Sequence, residues 1–166
     1  MIPNEAKLVS REEMQAQSTK AREQGNSVVF TNGCFDIIHV GHVRYLYAAR
    51  RLGSALYVGI NSDASARRLK GEGRPINTEC DRAGVVAALE MVDLVTIFDE
   101  DTAGELVAQV HPAVYVKGGD YDADPVSTRY PPEAAIVSRY GGTVRVIPYE
   151  SGYSTTGTLD RIRTAG

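Results

Sequence analysis

The chain has 166 residues, 43% of them hydrophobic and 23% charged, an ordinary composition for one globular domain with one core. Its net charge of −3 supplies no general pull toward nucleic acid or an anionic membrane. Any phosphate it binds must be met by local donors.

In chain order, Ser10 with Glu13 reads as a capping box opening a first helix that ends near Gly25. Residues 1–26 are thus expected to form a helical extension packed on the domain. The first strand candidate is "SVVFT" from Ser27, and "TNGCFDIIHVGH", Thr31 to His42, is the turn between it and the helical run "VRYLYAARRL". Next come the strand "ALYVGI" from Ala55 and the segment "NSDASARRLKGEGRP". Thr78 with Asp81 opens a helix whose apolar stripe is Val85, Val86 and Leu89. The strand "LVTIF" from Leu94 follows, then a helix opened by Thr102 with Glu105, with Leu106 and Val110 on one face. The strand "AVYV" from Ala113 runs into "KGGDYD", and "TVRVI" from Thr143 runs into "YESGYSTT" and a last helix.

Each strand is short and apolar on both faces, as buried parallel strands are. Their alternation with helices predicts an α/β fold, a doubly wound five-stranded parallel sheet. Such sheets bind ligands beyond the carboxyl ends of their strands. The five segments that follow the strands therefore gather on one edge.

The first of these carries the most chemistry. His39 and His42 stand three residues apart at a helix start, so both can face one ligand. Gly41 lets an anion approach the backbone, and the helix N-terminus favours a phosphate. Imidazole donors add hydrogen bonds as charge grows in a transition state. The bland reading is a capped helix with two surface histidines; both histidines around a glycine directly after the first strand favour the anion site. Zinc would need a third ligand, and nothing nearby supplies one at a familiar spacing. Gly33 permits close approach. Cys34 reads as a small packing residue without an activating cation beside it, and with Cys80 it makes no disulfide or zinc pattern. Asp36 either assists a metal ion or caps the turn.

"RRLKGEGRP" gathers Arg67, Arg68, Lys70 and Arg74 around two glycines. It reads as a solvated helix end, or as a mobile cationic loop that closes over a triphosphate. Lys70 and Arg74 are the better placed for phosphate. Gly118 and Gly119 open the backbone, and Asp120 can take a hydroxyl or a base amine; the alternative is a Gly-rich turn. Ser154, Thr155 and Thr156 either cap the last helix or hold an outer phosphate there.

Together these strings resemble the signature of the His-x-Gly-His nucleotidyltransferases, the cytidylyltransferase superfamily. "NSDASARRLKGEGRPIN", "ALEMVDLVTIFDEDT", "KGGDY" and "STT" are similar to the adenylyltransferase domain of the bifunctional heptose enzymes. The resemblance covers about Val28 to Arg163. It implies a Rossmann-like nucleotidyltransferase fold over residues 1–166 as a single domain. It also implies transfer of AMP from ATP to D-glycero-D-manno-heptose 1-phosphate, with Mg2+ as cofactor. His39, His42 and Lys70 would then be catalytic. Thr31, Asn32, Gly33, Cys34, Phe35, Asp36 and Gly41 would form the nucleotide turn, with Asp36 near the metal. Arg74, Lys117, Gly118, Gly119, Asp120, Ser154, Thr155 and Thr156 would complete the nucleotide site, and Asn61 and Asp63 would face the sugar phosphate. The chain departs from related cytidylyltransferases in one respect. They carry an arginine just before Ser-Thr-Thr, whereas "YESGY" has Glu150 and none. Outer-phosphate charge must then fall to Lys70, Arg74 or magnesium, and Arg161 and Arg163 receive no role.

The resemblance further implies a homodimer and a stand-alone transferase supplied by a separate sugar kinase. No apolar run approaches the roughly 20 residues of a spanning helix, and the N-terminus lacks a signal-peptide core, so a cytoplasmic enzyme is expected. Two other readings compete. A cytidylyltransferase for glycerol 3-phosphate or another polyol phosphate would share the mechanism. A nucleotide-binding sensor without chemistry would keep the helix-start site but have no need of both histidines.

Overall fold

In the computed structural model, which describes residues 5–119, 121–148 and 155–164, five strands build one sheet. They are β1 (Val28–Gly33), β2 (Ala55–Asn61), β3 (Leu94–Phe98), β4 (Val114–Gly118) and β5 (Thr143–Ile147). Every neighbouring pair is parallel, in the order β3-β2-β1-β4-β5. The helices are α1 (Arg11–Glu23), α2 (Val40–Arg50), α3 (Asp63–Lys70), α4 (Glu79–Ala87), α5 (Gly104–Val110), α6 (Ala134–Arg139) and α7 (Thr155–Thr164).

Strand residues alternate between two cores. Val29, Val58 and Val116 face Leu46 and Ala49 of α2 and Val86 of α4. Phe30, Tyr57 and Tyr115 face Met14 of α1, Leu106 of α5 and Val137 of α6. The period of two along each strand thus fills both faces of the sheet, which is why the strands read as continuous apolar runs.

The helix starts at Ser10 and Thr78 form as expected: Ser10 Oγ accepts from the Glu13 N–H and Thr78 Oγ1 from the Asp81 N–H. The third start differs. Thr102 does not cap α5, which begins at Gly104 with Ala103 at its cap. The Ala103 N–H is taken instead by the Glu133 carboxylate, 30 residues downstream at the start of α6. The stripe of α4 also differs, since Val85 is 49% exposed while Ala83, Val86 and Ala87 are buried. Three of the segments expected to follow the strands are partly regular. Asn32–Gly33 and Lys117–Gly118 close β1 and β4, and residues 63–70 form α3.

Candidate active site

The strand order reverses between β1 and β4, because the chain leaves β1 for β2 on one side and reaches β4 on the other later. A crevice opens at such a point beyond the carboxyl ends. Here it is a cleft of about 820 Å3.

His39 and His42 line it. His39 is the N-cap of α2, with extended backbone, and His42 sits in the first turn. Their rings stack with centroids 3.9 Å apart. The His39 backbone N–H donates to His42 Nδ1 at 3.4 Å. An accepting Nδ1 leaves the proton of a neutral His42 on Nε2, as a donor. Burial, and then the neighbouring His39, push His42 down to about 4. Burial also lowers His39. At neutral pH both rings are therefore neutral donors at a helix N-terminus, which suits a developing negative charge. The Phe35 ring also packs against the His42 ring, tilted, with centroids 5.4 Å apart, and Phe35 has a left-handed φ of 46°.

On the β1–β4 floor, Asn32 Oδ1 accepts from the Tyr115 hydroxyl at 2.7 Å and from Lys117 Nζ at 3.0 Å. That commits the amide oxygen and leaves its NH2 donors as the remaining capacity. Lys117 is buried, and burial lowers its pKa against the opposing pull of Glu133 and then Cys34.

Asp36 ties its turn to the segment ahead of α4. Its Oδ1 accepts the N–H groups of Ile76 at 2.8 Å and Asn77 at 3.0 Å, and its Oδ2 pairs with Arg74 Nε at 2.7 Å. The segment after α3 is therefore anchored to the β1 turn, where a mobile loop was one of the sequence readings. Arg74 still lines the cleft, as does Lys70 on the exposed last turn of α3. Arg67 and Arg68 do not; Arg68 pairs with Asp101 at 2.6 Å, in keeping with a helix end.

Of the other expected residues, Gly33, Cys34, Asn61, Gly118 and Thr155 line the cleft. Burial raises the Cys34 thiol pKa, which fits a packing role. Four do not line it. Thr31 is fully buried, its hydroxyl bonded to Tyr45 at 2.7 Å. Asp63 is drawn away by Arg82 at 2.9 Å. Gly41 lies within the first turn of α2, and Gly119 turns back so that its N–H reaches Ile147 O. Asp120 and Ser154 fall outside the described residues, as does the Thr156 side chain.

Sequence reasoning missed several contributors. Tyr45 lines the cleft from one turn beyond His42, a spacing that was legible. Tyr121, Arg129, Pro132 and Glu133 come from the segment after β4. Arg82 is the largest fully buried side chain among the described residues. It donates to the carbonyls of Asn77, Cys34 and Asn61 and to Asp63, tying together the ends of β1 and β2 and the start of α3. Among the described residues no group of three or more His, Cys, Asp or Glu could hold a metal ion, and no helix is long and apolar enough to cross a membrane.

The chain is similar to several known proteins. The sequence profile of the family described as "Cytidylyltransferase-like" matches residues 30–157. The chain is 48% identical over 158 residues to the bifunctional protein HldE of Syntrophotalea carbinolica, covering 95% of this chain and 31% of that one. It is 50% identical over 144 residues to HldE of Geobacter sulfurreducens, covering 87% and 28%. The chain thus spans about a third of the length of these relatives. Among solved structures it is similar to the lipopolysaccharide core biosynthesis protein from Thermoplasma volcanium, with a TM-score of 0.60 and 28% identity over 78% of this chain and all of that one.

Proposed function

The chain belongs to the cytidylyltransferase-like family and is a nucleotidyltransferase, and we propose that it transfers AMP from ATP to D-glycero-D-manno-heptose 1-phosphate. The products are ADP-heptose and pyrophosphate. The observation that carries the reading is the pair of stacked, neutral imidazoles at the N-terminus of α2, facing a cleft at the strand-order reversal. The extensive identity to HldE proteins supports the choice of sugar.

The reaction asks little covalent chemistry of the protein. An oxygen of the sugar phosphate is already ionised and attacks the α-phosphorus in line. The new O–P bond forms as the bond to the β-phosphate oxygen breaks, and pyrophosphate leaves with the electron pair. Catalysis is then positioning plus charge stabilisation. His42 Nε2–H and the His39 ring donate to the α-phosphoryl oxygens, while Lys70 and Arg74 meet the outer phosphates from the rim. Thr155, at the start of α7, adds a hydroxyl there, and the floor at Asn32 and Lys117 takes the nucleoside.

Magnesium belongs to the proposal as a companion of the triphosphate. Among the described residues no group of three or more metal-ligating side chains cages it, and Asp36 of the β1 turn is engaged by two N–H groups and Arg74. The ion would be held mainly by phosphate oxygens and water, and no step above runs through it. A sugar kinase, on this or another chain, is the preceding reaction class. A homodimer in the cytoplasm completes the reading.

Pyrophosphate release tests it, with ATP, CTP, GTP and UTP, each with and without the heptose 1-phosphate. Release with ATP only when the sugar phosphate is present is expected. Release with CTP and a polyol phosphate instead would replace the substrate and keep the mechanism. Tight nucleotide binding with no release from any pair would mark a sensor.

A further inference from the structure

The phosphate chemistry proposed above uses the α2 side of the cleft and leaves its opposite wall, on the α5–α6 side, without an assigned partner. Glu133 lines that wall. It is 2% exposed, and its Oε1 accepts the Ala103 N–H at 3.2 Å. Lys117 Nζ stands 3.9 Å from the same oxygen, beyond hydrogen-bond reach, because it donates to Asn32. The second oxygen, Oε2, is sealed from water and has no hydrogen-bond partner. A carboxylate oxygen left this way is costly. Capping Ala103 needs only one acceptor, which a glutamine or an asparagine would supply. The Tyr115 hydroxyl stands beside this carboxylate, but its one proton goes to Asn32 at 2.7 Å, so the second oxygen stays unsatisfied.

A buried acceptor and a buried ammonium a few ångströms apart match one common group. A hydroxyl can donate to the carboxylate and accept from the ammonium at the same time. We propose that Glu133, with Lys117 beside it, is a specificity residue that reads a hydroxyl of a carbohydrate moiety of the ligand. This rests on the transferase reading for its two candidate sources, the ribose of the nucleotide and the ring of the acceptor sugar. A site built for a hydroxyl rejects the analogue that lacks it, since the buried partner is then left unpaired.

Equilibrium binding to the folded chain tests this without turnover, so failure of the transferase reading does not decide it. The probes are ATP, 2′-deoxy-ATP, 3′-deoxy-ATP, and heptose 1-phosphate in the presence of a non-cleavable ATP analogue. Glu133→Gln keeps an acceptor for the Ala103 N–H and replaces Oε2 by an NH2. The expected result is weakening of ATP or of heptose 1-phosphate by about tenfold or more, with the other probe within about twofold. Loss for ATP, with the discrimination against one deoxy nucleotide abolished in the variant, assigns the ribose. Loss for heptose 1-phosphate assigns the acceptor. Glu133→Asp, which withdraws the carboxylate by one methylene, gives the same test should the Gln variant fold poorly. Unchanged affinity for every probe in a folded variant overturns the proposal, as does an equal loss for all of them, the mark of a merely structural role.

Discussion

The backbone N–H of His39 donates to Nδ1 of His42, and the two rings stack 3.9 Å apart. One residue thus sets the tautomer of the other and opposes its protonation. With His42 pushed down to about 4 by burial and then by His39, the unfolded chain binds more protons than the folded one between pH ~4 and ~6.5. This contribution to stability is fully present above the unfolded value and is lost as pH falls through the folded one. Thermal melts from pH 7 to pH 4 should show a decline that is shallower in His42→Gln. Parallel profiles for the two proteins would refute the linkage.

Replacing His42 by alanine removes the donor aimed at the transferring phosphoryl group. Turnover should drop by at least ~100-fold, the scale for losing one preorganised donor. Affinity for ATP measured directly should change far less. Normal turnover would sink the proposed mechanism.

Arg82 predicts a stability effect with no local chemistry. Its guanidinium is buried and engages three carbonyls and Asp63. Arg82→Met leaves those oxygens and a carboxylate without their donor and should cost about 3–5 kcal/mol in denaturant unfolding. Arg82→Lys should recover little, since an ammonium cannot span the same fork.

Gly118→Ala tests how closely the cleft floor is packed. A Cβ there would lie 2.9 Å from the Tyr45 ring, which is held by Thr31 at 2.7 Å and by the Val116 carbonyl at 3.2 Å. The ring cannot simply swing aside. A loss of about 1–3 kcal/mol is expected, together with weaker ATP binding. A wild-type melting temperature would show that the ring yields.

The sheet was legible because its information is local: apolar runs, turn residues and capping pairs lie within a few residues of one another. The histidine pair was legible for the same reason, both rings being placed by one strand-to-helix junction. What escaped depends on segments that meet only after folding. Arg82 looks like an ordinary helix-face charge in "ECDRAG", and its burial follows from three loops converging on it. Asp36 could be a metal ligand or a cap from sequence alone, and the N–H groups that occupy its Oδ1 come from residues 76 and 77, far along the chain. Thr102 does not cap α5, whose cap residue Ala103 gives its own N–H to a glutamate 30 positions on, for which no local pattern exists.

The two borders of the sheet are treated differently. Along β3, Leu8 bridges to Val95, and the Val9 N–H reaches the Val95 carbonyl at 3.0 Å. The short stretch ahead of α1 therefore occupies hydrogen-bonding positions that another chain could otherwise claim. β5 carries an exposed charge, Arg145, at the middle of its five residues. A charge within a short border strand discourages a stranger from adding to it. Leu8 and Val9 thus guard β3 against edge-to-edge strand pairing, and trimming the chain past them should leave the cleft intact while making the protein prone to aggregate through β3.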